Sequence, residues 1–318
     1  MKKTLLQGTI GIAFGALCLW LALRQISVGQ IQGSLQNLDY KWILLAIIFY
    51  CINVSVRVVR WRILLRSTID LSYIQVFAAL VVGYMVNSLL PARLGELYRA
   101  DYMKKKHSIA RSSALGSIVI ERLLDGLAIV CIFNMGLLVT AIPDENSNIL
   151  LPIAIISTVV FFLLFLLVRF FALVRPILSN IRLGWLQTRL ENFSGTLAVV
   201  HQPGFLRPVL ITVLIYILEA ATLASALKAT GIELSLFQYF VVLGAVVLGT
   251  LAPTAPGYIG SIQLSFIITL GAFNIEATNA FVAATAYQIF PLMLIVSVGL
   301  TIVTFQTYKS VFLRAVQK

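Results

Sequence analysis

Several ionisable side chains stand in stretches that are otherwise apolar. Ser113, Ser117, Glu121 and Asp125 recur every four residues inside the apolar stretch 112–141, which puts them on one face of a helix. Arg122 lies beside that stripe, Glu219 falls inside the apolar stretch 209–229 with Thr222 nearby, and Arg93, Glu96 and Arg99 follow the apolar run ending at Leu90. At about 1.5 Å of rise per residue, Glu121 and Arg122 lie roughly 14 Å into a hydrocarbon core ~30 Å thick. Each such group is costly there unless it is paired or hydrated. Three arginines set against four carboxylates give the near-neutral balance of a mutually paired cluster.

The chemistry this set offers is anion binding. Arg93, Arg99 and Arg122 carry planar forks that suit phosphate or carboxylate, and Glu96, Glu121, Asp125 and Glu219 hold those forks in place. The alternative is a set of salt bridges that only locks helices together. Glu121 and Asp125 could in principle form an acid/base pair or bind a divalent cation, but no reacting group lies near them in the sequence. The chain has no serine elbow, phosphate-cradling loop or dinucleotide fingerprint. His107 and His201 are far apart, and Cys18, Cys51 and Cys131 sit in apolar runs without a paired spacing. The expectation is therefore no enzyme, no metal and no cofactor.

These residues must be positioned by membrane helices. Of 318 residues, 60% are hydrophobic and 11% charged, with a formal net charge of +12 and a mean hydropathy of +0.97. A soluble domain carries roughly 25% charged residues, so a cytoplasmic globular protein and a nucleic-acid-binding domain are both excluded. Apolar runs predict full spans over about 4–23, 42–57, 112–141, 149–168, 209–229 and 280–305. Met1-Lys2-Lys3 before the first run resembles a secretory signal, but no small-residue cleavage site follows it, so it is read as a retained span. Gly11 and Gly15 in that span permit close packing of a neighbouring helix.

Two further apolar runs break before they could cross. Tyr73 to Leu90 ends at Pro91 and Gly95, and Phe237 to Ala252 ends at Pro253, Pro256 and Gly257, residues that stop helices and permit sharp turns. A broken helix at membrane depth has to be buried in protein or line a wet cavity. If the return helices begin after Pro91 and Pro256, their free N–H groups point inward near Gly95 and Gly257. Taking both runs as re-entrant hairpins leaves 20 of the 24 basic residues on the cytoplasmic side with the N-terminus inside, as the positive-inside rule requires. In that topology Arg57, Arg60, Arg62 and Arg66 sit at the cytoplasmic interface, where Arg57 and Arg60 are candidates for lipid-headgroup contact.

A shift of 162 residues overlays Leu89, Pro91 and Gly95 on Leu251, Pro253 and Gly257. The copies then have opposite orientations, as in inverted-repeat transporters. The predicted fold is an all-α polytopic membrane protein of about six full spans plus two re-entrant helical hairpins. It forms a single integral domain over 1–318, with repeat 1 about 42–141, repeat 2 about 208–306, and 170–206 as a cytoplasmic amphipathic linker. In that linker Arg175, Arg182 and Arg189 share one helical face.

The stretches Asn87 to Ala100, Glu121 to Asp125 and Pro253 to Gln263 resemble the three signature stretches of the transmembrane region of lysylphosphatidylglycerol synthases, also called the flippase-like domain. The resemblance covers nearly the whole chain. It implies a region that moves an aminoacylated phospholipid between leaflets, while a separate soluble domain makes the lipid. The chain stops soon after its last span, so the aminoacyl transferase activity is not carried over.

The expected function is a flippase-like transporter of an anionic or phosphate-bearing lipid, either a phospholipid or a polyprenyl-phosphate-linked one. The alternatives are an accessory or catalytic subunit of glycolipid or polyprenyl-linked glycan synthesis, or a small-anion transporter. The expected partners are anionic membrane lipids, with a second copy or a membrane enzyme left open and nucleic acid excluded. The expected location is a bacterial cytoplasmic membrane, with both termini cytoplasmic.

Overall fold

The computed structural model describes residues 13, 15–24, 38–66, 69–90, 94–140, 144–173, 185–251 and 255–316, with backbone alone for 144–147, 171–173, 185–187, 203 and 309–316. Among the described residues the chain is helical and contains no strand. The helices are α1 (15–23), α2 (Tyr40–Leu65), α3 (Tyr73–Leu89), α4 (Leu94–His107), α5 (Arg111–Val139) and α6 (Asp144–Leu173). They continue as α7 (Trp185–Leu197), α8 (Leu206–Ala229), α9 (Leu236–Gly249), α10 (Ser261–Gly271) and α11 (Ala277–Val316).

Five of these are long and apolar enough to cross a bilayer: α2, α5, α8, Asn148–Phe170 of α6 and Ala277–Tyr308 of α11. Half of the predicted span 4–23 lies outside the described residues. Its helical part packs through Gly15 against Ala255 and Ile259, while Gly11 lies outside. One boundary differs substantially: α2 was expected to end near residue 57 and runs on to Leu65. Its arginines looked like the end of a span, but Arg60 is fully buried, so the helix continues through it.

The apolar helices α3 and α9 have only 17 and 14 residues, short of the ~20 needed for a crossing. Their starts are set the same way. Ser72 accepts the Gln75 N–H and Gln75 accepts the Ser72 N–H, and Ser235 and Gln238 repeat this pairing, each a reciprocal cap that satisfies two orphan donors. Beyond each, the chain folds back, α3 onto α4 and α9 onto α10. At the second turn Pro256 opens a short 3-10 segment, Pro256–Tyr258. There Gly257, Tyr258 and Gly260 take φ of 68°, 62° and 91°, a region that costs an L side chain free energy.

Helix α2 runs antiparallel to α8 along its length. The Asp39 N–H donates to the Ala229 carbonyl, the Asn53 amide to the Ile215 carbonyl at 2.8 Å, and the Arg60 guanidinium to the Thr212 hydroxyl at 3.0 Å. Helix α3 packs on α11, where Met85 covers Gly299, and α9 packs on α5, where Phe133 covers Gly244. Helix α11 carries Pro291 in its interior. Helix α7 packs on α5, with the backbone at Gly116 closing on Thr196, and Leu197 and Val199 are buried with Leu64, Ile120 and Leu124. Arg189 is exposed, whereas Arg175 and Arg182 lie outside the described residues. At the polar end of α4, hydrogen bonds from Lys105 and Arg111 hold the Asp101 carboxyl below the usual carboxylate range.

Helices α3 and α4 touch through glycine. A Cβ on Gly95 would strike the Gly83 carbonyl and the Asn87 side chain, and one on Gly83 would strike the stem of Arg99. Gly95→Ala is expected to cost about 1–3 kcal/mol, read as a lowered melting temperature of the detergent-solubilised protein. Gly204→Ala, where nothing lies within 4 Å, serves as the neutral control.

Candidate functional site

Five helices converge on one buried charge network. Its centre is Glu121 on α5, fully buried and held by the Arg99 fork from α4 through two bonds of 3.2 and 2.9 Å. That bidentate geometry is the strong form of the pair. Arg99 also lies over the Trp61 ring, 3.8 Å from its centroid, and the Trp61 N–H donates to the Ser117 hydroxyl. A carboxylate and an aromatic ring therefore fix one guanidinium, and a hydroxyl fixes the ring. The neighbouring Arg122 donates to Glu121 at 2.6 Å and pairs with Glu96 at 3.4 Å and Asp125 at 3.5 Å.

A second layer joins α2 to α5 and α8. Arg60 donates to Asp125 at 2.6 Å and lies 3.8 Å from Glu121. Arg57 pairs with Asp125 at 3.6 Å and donates to Glu219 at 3.1 Å and to the Asn53 side-chain Oδ1 at 2.6 Å. Asn53 returns an N–H to Glu219 at 3.0 Å, and the Tyr287 hydroxyl on α11 donates to the other Glu219 oxygen at 2.8 Å. Arg57, Arg60, Arg99 and Arg122 thus balance Glu96, Glu121, Asp125 and Glu219, and the network is formally neutral.

The network floors a cavity of about 570 Å³. Arg57, Glu96, Arg99, Arg122, Asp125 and Glu219 reach it, while Glu121 and Arg60 stay behind this layer. The lining also includes the apolar residues Ile129, Val246, Leu251, Leu292 and Ile295, together with Val160 and Leu164, two exposed residues of α6. Both turns reach the cavity, through Asn87 and Ser88 on one side and Gly257 and Tyr258 on the other. They meet each other, since the Ser88 carbonyl lies 3.5 Å from where a Gly257 Cβ would stand.

The structure brings together Glu96, Arg99, Glu121, Arg122, Asp125 and Glu219, all expected on sequence grounds. Arg93, Pro91 and Pro253 lie outside the described residues. Arg57 and Arg60 are also part of the network, paired with carboxylates of α5 and α8. The free N–H groups expected at the return helices are also corrected. The Gly95 N–H donates to the Asn87 side chain at 2.7 Å, and the return helix after the second turn begins at Ser261, five residues beyond Pro256, with the Gly260 N–H capped by Gln263. Gln263 in turn donates to Gln288, which donates to the Gly257 carbonyl.

Sequence reading missed Asn53, Asn87, Thr212, Gln263, Tyr287 and Gln288. Amide side chains inside apolar runs were the available signal for most of them. Among the described residues no group of three His, Cys, Asp or Glu could hold a metal ion.

Residues 8–299 match the family described as the lysylphosphatidylglycerol synthase TM region, and the chain belongs to that family. It is similar to a UPF0104 membrane protein of Methanothermobacter thermautotrophicus, 22% identical over 94% of this chain and 95% of the relative. It is 30% identical to a UPF0104 membrane protein of Pyrococcus horikoshii over 54% of this chain, and the match spans about half (51%) of that relative. A stretch of 147 residues, 44% of this chain, is 26% identical to 23% of the glycosyltransferase AglD of Haloferax volcanii. No solved structure matches the chain.

The network makes a stability statement. Removing Arg60 leaves the Asp125 carboxylate short of its nearest cation in a buried site, so Arg60→Ala is expected to cost about 3–5 kcal/mol. Thr212→Val, which removes only the neutral partner of Arg60, is expected to cost about 1 kcal/mol. Thermal melts of the two variants in the same detergent check the ordering.

Proposed function

We propose that this member of the lysylphosphatidylglycerol synthase transmembrane-region family moves a phosphate-bearing lipid, phospholipid or polyprenyl-phosphate-linked, between the two leaflets. The headgroup passes through the charged cavity while the tails stay in the bilayer. The observation that carries this reading is the mixed lining of the cavity, which combines ionised side chains with apolar ones that include the exposed Val160 and Leu164 of α6. A soluble anion has no use for those apolar residues, whereas a lipid needs both kinds of surface at once.

In this reading α3–α4 and α9–α10 are re-entrant hairpins whose turns meet at the cavity, and the single membrane domain is an inverted repeat. Several observations support it. Asn53 contacts Ile215 and Arg57 contacts Glu219, and each of these pairs is separated by 162 residues, the shift seen in the sequence. Direct contact between equivalent residues on antiparallel helices is what an axis of two-fold pseudosymmetry produces. The packing of α3 on α11 and of α9 on α5 is likewise reciprocal. With the bulk of the basic residues on the cytoplasmic side, both termini are cytoplasmic. In such folds substrates bind at broken helices near the midplane.

A second reading, an accessory or catalytic subunit of polyprenyl-linked glycan assembly, draws on the partial similarity to glycosyltransferase AglD. A covalently altered lipid product would favour it, whereas redistribution of intact lipid favours translocation.

The test uses proteoliposomes of phosphatidylcholine carrying tail-labelled phospholipids, with surface quenching to follow leaflet exchange. Arg122 has the most exposed side chain of the network, at 36%, so Arg122→Ala is expected to leave the protein folded and slow exchange by about tenfold, the loss of one charge-assisted contact. Exchange unchanged in that variant would remove the cavity from the mechanism.

A further inference from the structure

The charges that a bound headgroup would meet are balanced, and that balance limits what the headgroup can be. Arg60 and Glu121 stay behind the cavity lining with side chains 0% exposed, and Arg99 lines the cavity with its side chain 1% exposed and its fork held by Glu121. The reachable members are Arg122 at 36%, Glu96 at 26%, Glu219 at 16%, Arg57 at 14% and Asp125 at 9%. Three cations therefore stand among three anions on the cavity lining, and each of them already has a partner of opposite charge.

A headgroup with net negative charge would have to take an arginine from its carboxylate and leave that carboxylate unpaired in a low-dielectric site, which is strongly unfavourable. The pair most open to exchange is Arg122 with Glu96. It has the two most exposed side chains and is joined by one contact of 3.4 Å, and the Arg122 Nε has no hydrogen bond among the described residues. We propose that the headgroup is zwitterionic and exchanges into this pair, with its phosphodiester on Arg122 and its ammonium on Glu96, so that no charge is left alone. The ammonium is a primary amine. Glu96 loses its ion pair when Arg122 turns to the phosphate, and a primary ammonium replaces it with a charge-assisted N–H hydrogen bond, which a quaternary trimethylammonium cannot make. Because Arg122 and Glu96 stand in direct contact, the amine and the phosphate are separated by a short spacer, as in an ethanolamine headgroup. An amine carried at the end of an aminoacyl group is too far from its phosphate to span the same pair.

The inference rests on the lipid-translocation reading, and the experiment separates the two. Leaflet exchange is measured in phosphatidylcholine vesicles containing the full-length protein and tail-labelled phosphatidylethanolamine, phosphatidylglycerol, phosphatidylcholine or lysyl-phosphatidylglycerol. The expected result is exchange of phosphatidylethanolamine about tenfold faster than the other three, the worth of one charge-assisted hydrogen bond. Glu96→Gln frees Arg122 and makes the floor more positive, so it is expected to lower phosphatidylethanolamine exchange and raise that of phosphatidylglycerol. A merely structural defect would lower both. Equal rates for all four lipids, or a preference for phosphatidylglycerol, phosphatidylcholine or lysyl-phosphatidylglycerol in the unaltered protein, overturn the zwitterionic assignment and leave translocation standing. Exchange of none of them overturns both. Should Glu96→Gln fail to fold, Glu96→Asp, which keeps the charge and shortens the reach, is expected to narrow the preference for phosphatidylethanolamine. An unchanged preference in that variant counts against the assignment.

Discussion

The structure depends on one constraint: charge placed in hydrocarbon must find countercharge within the protein. Eight ionised side chains share the interior, and no single helix supplies both signs in sufficient number. Helix α2 brings two arginines, α4 an arginine and a glutamate, α5 an arginine and two carboxylates, and α8 a lone glutamate. Helix α4 is balanced in itself, whereas the two arginines of α2 are neutralised only when α5 and α8 are both assembled with it, so the network rewards one arrangement of helices over the alternatives. Apolar packing in a membrane lacks that selectivity, because lipid tails are as apolar as leucine.

The short helices follow from the same constraint. Helix α4 can deliver Arg99 to Glu121 only by turning back inside the protein, and the turn is possible because α3 and α4 approach through Gly83 and Gly95 with the Asn87 side chain accepting the Gly95 N–H. On the other side the turn is held without charge, by the chain of amides from Gln263 through Gln288 to the Gly257 carbonyl. The two broken helices thus meet at one cavity with different chemistry, ionic on one side and neutral on the other.

How much of this was legible depended on how far apart the partners lie in the chain. The stripe of Ser113, Ser117, Glu121 and Asp125 could be read directly, because helical spacing places its members on one face. Both interrupted helices were legible from Pro91, Gly95, Pro256 and Gly257. The place of Arg57 and Arg60 in the network was not legible for a physical reason: an arginine near the end of an apolar run shows no pairing until its countercharge is known, and here the countercharges lie 65 and 162 residues away. Likewise the left-handed backbone at Gly257, Tyr258 and Gly260 delays the return helix to Ser261, a delay that Pro256 alone could not reveal. Trp61 was invisible as a site residue because an aromatic ring in a span is ordinarily packing. Its role under Arg99 appears only when three helices are in place.

Pro291 gives α11 a mechanical character. A proline within a helix leaves the carbonyl four residues earlier without its donor, and here that carbonyl belongs to Tyr287. The backbone ladder is therefore interrupted beside two consecutive side chains, Tyr287, which is bonded to Glu219 on α8, and Gln288, which is bonded to the Gly257 carbonyl at the second turn. The longest helix of the protein is thus a jointed rod, and its joint falls where it grips both the charged floor and the turn. A bend at that joint would carry the two grips together, so the stiffness of a single peptide unit ties the position of a glutamate to that of a loop on another element.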